Sequence, residues 1–203
     1  MNFHKLLILT TLLYLFIIDP VKAQYNNDEE IDILKNTIYA HLETFGNYLS
    51  LIADKTLTLD VRTNRIEDAL NLFYNPLCKV SISSLKKNKP DTSYINEYLN
   101  DLMYLPYRMI KIKWVNINIT RLIKLNDTAF IAEAEITQLF IGKNNNVLNY
   151  RKLEGVNYQS IEYNDITTKT VQVFIEKKKD IDSDQYWYNI LFCEIGVKET
   201  RKL

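Results

Sequence analysis

Residues 129–140, "AFIAEAEITQLF", read as a β-strand with two unequal faces. Strand side chains alternate, so Phe130, Ala132, Ala134, Ile136, Gln138 and Phe140 share one face. Ile131, Glu133, Glu135, Thr137 and Leu139 share the other. The first face is apolar, yet it carries two alanines in mid-strand and one amide. Two alanines leave a hollow, and either a helix of the same chain or a ligand fills it. Gln138 sharpens the question. An amide on an apolar face needs hydrogen-bond partners, or it costs about 1–3 kcal/mol. Backbone or a neighbouring tyrosine is one such partner; a ligand in a pocket is the other.

Working outward, strand signals fill the C-terminal half and helical signals the N-terminal half, which predicts an α+β fold. Leu34, Ile38, His41, Phe45, Tyr48 and Ile52 recur at helical spacing, after a cap signal at Asn27 and Glu30. Asn64 with Glu67 predicts a second helix, with Ile66, Ala69, Leu70 and Phe73 as its stripe, ending at Asn75-Pro76. Residues 78–82 suit a short strand. Pro90-Asp91 opens a third helix with Ile95, Tyr98, Leu99 and Leu102 inward. Residues 109–123 alternate through Trp114 and then change phase to Val115, Ile117 and Ile119, which predicts a β-bulge. Residues 143–146 read as a turn, 147–153 as an additional strand, 171–175 as a strand and 177–184 as a charged hairpin loop. The last strand, 187–198, places Trp187, Asn189, Leu191, Cys193, Ile195 and Val197 on one face.

The first residues have the layout of a secretory signal peptide: Lys5, an uncharged and mostly apolar run Leu6–Ile18, and small residues Val21 and Ala23 before a cut. The expected division is a signal peptide at 1–23 and one domain at 24–203, exported to the periplasm or secreted. The apolar run is short for a membrane span, which needs about 20 residues. Cleavage removes Lys5, Lys22 and Asp19 and leaves 23 basic and 24 acidic side chains. That balance offers no long-range attraction for nucleic acid. Aromatic residues make up 12 %, with fourteen tyrosines, which suits a packed globule rather than a disordered chain. Cys78 and Cys193 are the only cysteines. Export allows them a disulfide, and apolar surroundings allow two buried thiols.

The segments NDTAFIAEAEITQLFIG (126–142) and DQYWYNILFCEIGVKET (184–200) follow helices and a short strand in a layout that resembles the nuclear transport factor 2-like superfamily, which includes ketosteroid isomerase-like and polyketide cyclase-like proteins. The resemblance is one of layout and spans residues 28–200. It implies three N-terminal helices packed in a strongly curved, cone-shaped antiparallel sheet, often with a pocket at the open end, and often a homodimer through the sheet. Residues 143–167 are additional to a minimal member. Catalytic members place an Asp–His pair, or an Asp with a Tyr, in the pocket; no motif of this chain matches either.

His41, the one histidine left after cleavage, is the candidate acid or base, set against a core-edge histidine with a satisfied hydrogen bond. Gln138, Phe130, Phe140, His41 and Tyr98 are the candidate ligand-binding residues. Glu133 and Glu135 belong to the opposite, outer face. Tyr163, Asp165, Thr167 and Lys169 form a polar spacing that either pins the segment before it through an Asp165–Lys169 pair or lines the pocket rim. Asp180–Asp184 alternates carboxylates as calcium loops do, but Gln185 and Leu191 stand where such a loop needs Gly and Glu, so a solvated turn is expected. The isolated glycines form no phosphate-cradling loop, there is no G-x-S-x-G turn, and zinc-type spacings are missing, so no cofactor or metal is expected. Asn118 and Asn126 have glycan-acceptor spacing. The expected function is a non-catalytic binding or interaction module with a pocket for a small apolar ligand. The alternatives are an isomerase- or lyase-type enzyme using His41 with Tyr98 or Tyr158, and a structural subunit with a solid core.

Overall fold

A computed structural model describes residues 3–85, 89–144, 161–180 and 185–203, with side-chain surroundings from Asp28 onward. The elements run α1 (Phe3–Ala53), α2 (Leu59–Leu70), β1 (Lys79–Ile82), β2 (Asp91–Tyr94), α3 (Ile95–Tyr104), β3 (Met109–Asn126), β4 (Ala129–Asn144), β5 (Ile161–Lys179) and β6 (Tyr186–Lys202). The chain divides into two units, Met1–Thr37 and Ile38–Leu203. The first is helical throughout its described residues. The second holds the sheet, in the order β2-β1-β6-β5-β4-β3. The fold is α+β, with three helices and a six-stranded sheet among the described residues, in the order of elements that the sequence predicts. The sheet is mixed rather than wholly antiparallel: β1 meets β6 in parallel at Val80 and Ile195.

Within the second unit the helices cover one face of the sheet. Ile38, Leu42, Phe45, Leu49 and Ile52 are the buried stripe of α1. His41 and Tyr48 flank it, half-buried, so the expected stripe holds at Leu34, Ile38, Phe45 and Ile52, with Leu42 and Leu49 in place of His41 and Tyr48. Both series have helical spacing; Leu42 and Leu49 lose more by exposure than an imidazole or a phenol with a polar end. Phe45 packs edge-to-face on Phe73, Trp114 and Phe192, with ring centroids 5.1, 5.3 and 5.8 Å away. Ser50 Oγ donates to the Ile112 carbonyl at 2.6 Å and ties α1 to β3.

Several boundaries differ from the sequence reading. Asn27 lies inside α1, where helix on both sides leaves no first-turn N–H for it to cap. Thr58, not Asn64, caps α2, accepting from Val61 N–H at 3.5 Å. The helix therefore begins earlier, buries Arg62, Ile66 and Ala69, and ends at Leu70. Residues 91–94 are a strand paired with β1 rather than the start of α3. Glu97 accepts from Ser93 Oγ at 2.9 Å and Tyr94 N–H at 3.3 Å, which starts α3 at Ile95.

The predicted bulge in β3 falls at Val115, between the pairs Trp114–Gln138 and Asn116–Thr137. In β6 the expected face is wrong for half the strand. Ile190 and Phe192 are buried with Ile195, while Trp187 is exposed and Leu191 and Cys193 are only half-buried. A register shift between Gln172 and Val173 skips Cys193 and moves the core face from even to odd positions. β5 extends through Lys179, so residues 177–179 of the expected loop are strand, and Asp180 N–H donates to Gln185 O at 2.7 Å. The possible strand at 147–153, Tyr158, the turn residues 145–146 and residues 181–184 of the acidic loop lie outside the described residues.

Candidate functional site

One face of β5 carries Asp165, Thr167, Lys169, Val171, Val173 and Ile175, all of them buried. The last three belong to the core. The first three, with Gln138 and Phe140 of β4, line a cavity of about 380 Å³. That volume lies within the range of about 300–1,000 Å³ usual for small-molecule sites. Ile82, Leu102, Leu105 and Ile112 give it apolar wall, and Tyr98, Tyr107 and Tyr163 give it phenols. Among the described residues this answers the question of the alanines. Ala132 and Ala134 are at most 1 % exposed and line no described cavity, so the chain itself fills that hollow. The open space begins two positions further along the same face, at Gln138.

Register places the polar groups together. Gln138 pairs across β4–β5 with Thr167, and Phe140 with Asp165. Trp114 Nε1 donates to Gln138 Oε1 at 3.2 Å. An indole can only donate, so the amide oxygen faces the indole and the amide N–H groups are left for the cavity. Tyr98 sits one helical turn from Leu102 on the cavity side of α3. Its hydroxyl has no hydrogen-bond partner among the described residues.

Asp165 is 4 % exposed. Tyr163 donates to its Oδ2 at 2.7 Å while accepting from Leu85 N–H at 2.9 Å, and Thr167 Oγ1 lies 3.5 Å from its Oδ1. Thr167 also bonds Thr200 at 3.1 Å, and Thr200 meets Ser83. This chain of hydroxyls ties the residues after β1 to β5 and β6 around the cavity. Thr200 faces inward because a second register shift, between Thr168 and Lys169, changes the phase of β6 again. Lys169 Nζ donates to Ser81 O at 3.2 Å.

Burial dominates the electrostatics. It raises Asp165 above the usual carboxylate range, against the opposing pull of Tyr163, the Lys169 charge and Thr167. It lowers Lys169 to about 8, partly offset by the Asp165 charge. Burial also raises Tyr98 to about 12, with the Asp165 charge adding to it. Tyr163 likewise rises to about 12, mainly through burial. Both phenols are therefore neutral donors at physiological pH. Asp165 and Lys169 act on one another through space; among the described residues they form no direct ion pair. The expected pin is thus a hydroxyl network on Asp165 rather than a carboxylate–ammonium contact.

Of the residues singled out by sequence, Gln138, Phe140 and Tyr98 line this cavity. Phe130 does not. It is 2 % exposed against the Tyr188 ring, eight residues and roughly 26 Å along β4 from Gln138. His41 is half-buried on α1 and is not among the lining residues. Tyr163 lines the cavity, the rim alternative of the sequence reading, while Tyr107 was missed as a pocket phenol; Tyr107 stacks at the end of β4, where a Cβ on Gly142 would lie 2.8 Å from its ring. The i, i+2, i+4 series of Asp165, Thr167 and Lys169 was the signal that marked the cavity face. Among the described residues no His, Cys, Asp or Glu cluster suits a metal ion, and no helix is long and apolar enough to cross a membrane. Cys78 and Cys193 are free thiols; burial, then the neighbouring Cys78, pushes the Cys193 thiol up.

No family model matches the chain, and no curated protein matches it in sequence. Among solved structures it is similar to a protein of Novosphingobium aromaticivorans named "Putative Scytalone Dehydratase". The identity there is 13 %, the TM-score 0.43, and the match covers 87 % of this chain and 91 % of that one. It is also similar to the Kfla4162 protein of Kribbella flavida, with 8 % identity, a TM-score of 0.40, and coverage of 82 % and 95 %.

Proposed function

We propose that the protein is an exported binding module for a small, mainly apolar ligand with a polar end. The observation that carries this reading is the cavity itself: apolar wall from α3, β1 and β3 faces a short row of polar groups on β4 and β5. Among the described residues Gln138 and Tyr98 present donors without other partners, and Asp165 presents an acceptor. Such a site holds an apolar body and orients one oxygen or nitrogen group. Residues 1–23 are the part removed on export.

Ser84 lies half-buried at the cavity. Ser84→Trp is expected to fill the space with little cost to the fold. A thermal-shift screen of lipids, sterols and phenols on the wild type should find compounds that raise Tm, and Ser84→Trp should weaken their binding at least tenfold, measured by calorimetry. Equal binding by the variant would remove the cavity from the account.

Asp165 favours a second reading. A carboxyl raised by burial, hydrogen-bonded to a phenol in an open cavity, suits proton transfer in an isomerase- or lyase-type reaction, in the place expected for His41. Incubating each stabilising compound with the protein and following it by NMR decides between the two: a compound recovered unchanged supports binding alone. Pairing of two copies through the outer sheet face, where Ile131, Tyr74 and Phe174 border a shallow groove, completes the proposal. Light scattering that gives the mass of one chain would reject it.

A further inference from the structure

We propose that Lys169 captures a carbonyl compound, its ε-amine condensing with an aldehyde or ketone group of the ligand to form an imine. The inference rests on the binding reading and names the chemical class that the cavity would hold.

The geometry comes first. Lys169 is 5 % exposed, yet it lines the cavity. An ammonium has three N–H donors. Among the described residues Nζ has a single acceptor, Ser81 O at 3.2 Å, and no carboxylate within ion-pair distance. A buried ammonium so thinly partnered is a poor resting state; a neutral amine needs less from its surroundings and carries a lone pair. Desolvation has the matching consequence for titration. With a pKa of about 8, about a tenth of Lys169 is neutral at pH 7, against less than about a thousandth of an ordinary lysine. Several exposed lysines differ in kind. Lys143 and Lys124 pair with carboxylates, and the Glu135 pairing raises Lys198 above the usual ammonium range.

The surroundings supply what condensation requires. The amine nitrogen bonds to the carbonyl carbon as the C=O π pair moves to oxygen, giving a carbinolamine after nitrogen loses a proton and oxygen gains one. Loss of that hydroxyl as water leaves the C=N bond. One water is released, and nothing is oxidised or reduced. Tyr98, protonated at physiological pH, is a donor for the carbonyl oxygen. Asp165 as the carboxylate can receive the proton from nitrogen, and burial, which favours its acid form, suits it to hold that proton and return it to the departing hydroxyl. Among the described residues the titratable groups around Lys169 are Asp165 and Tyr163 on β5, Tyr98 and Asp101 on α3, and Tyr107 before β3; β1, β4 and β6 add Ser81, Gln138 and Thr200, which do not titrate.

The test uses the whole protein at pH 7 with octanal and with cuminaldehyde, each in the presence of sodium cyanoborohydride, which traps an imine as a stable secondary amine. Peptide mass spectrometry locates the label, and calorimetry measures binding of octanol and cuminyl alcohol, which have no carbonyl. The expected result is labelling of Lys169 at least tenfold faster than the fastest surface lysine, slowed by excess alcohol. Alcohol binding without preferential label at Lys169 overturns the imine and leaves the pocket reading standing. Label spread over surface lysines with no alcohol bound overturns both.

Discussion

Replacing Arg62 by methionine is expected to destabilise the fold by about 3–5 kcal/mol, more than most single substitutions outside the aromatic core. Arg62 is 8 % exposed and projects from the first turn of α2. Its Nε donates to Ile52 O at 2.7 Å, and its guanidinium also meets Met103 O. Ile52 lies in the last turn of α1 and Met103 in the last turn of α3. Those carbonyls are the ones a helix leaves without internal partners, and they sit at the negative ends of two helix dipoles. One cation therefore satisfies two helix ends. Methionine fills much of the volume but donates to neither carbonyl, so the loss combines two charge-assisted hydrogen bonds, each contributing about 1.5–3 kcal/mol, with two buried acceptors left unpaired. Urea unfolding measures it. Arg65→Met, which removes only an exposed pair with Asp68, is the control and should change stability by less than about 1 kcal/mol. A loss for Arg62→Met no larger than the control's would refute the account.

Arg62 also shows where sequence reading ends. Periodicity sees apolar stripes, and the cap signal at Asn64 hid a helix that starts five residues earlier with a cation on its inner face. The two faces of 129–140 were legible because an antiparallel strand with one buried side alternates cleanly. The bulge at Val115 was legible for the same reason: alternation broke within one strand. In β6 the run Leu191-Phe192-Cys193 is apolar at three successive positions, so neither phase is favoured and the skipped residue leaves no mark. The most informative miss is β5. Its strand signal was read only over 171–175, where the inward positions are Val171, Val173 and Ile175. The same face continues back through Lys169, Thr167 and Asp165, where no core lies against it and a cavity does. Polar residues on the inner face of a strand erase the pattern by which strands are found, and they do so where the site is.

The stability of the wild type should rise by about 2–3 kcal/mol relative to Lys169→Met between pH 7 and pH 10. The sign follows from proton counting. Unfolded, Lys169 holds its proton to about 10.4; folded, burial lowers that to about 8. Between these values the unfolded chain binds more protons than the folded one, so raising the pH favours folding. Below about 8 both states are protonated, and the cost of burying the ammonium is constant and present in full. Methionine has nothing to titrate, so the variant lacks this slope. Tyr98 and Tyr163, which are raised to about 12, oppose the rise near pH 10, but they do so in both proteins and cancel in the difference. Asp165 is ionised across this window in the unfolded chain of both proteins; removing the Lys169 charge leaves it more strongly raised in the variant, and a raised carboxyl loses stability as pH rises, so any slope it adds widens the expected difference. Urea unfolding of both proteins at pH 7, 8.5 and 10 gives the two slopes. Parallel slopes would mean that the Lys169 ammonium is solvated, and a solvated ammonium has no special claim to a carbonyl ligand.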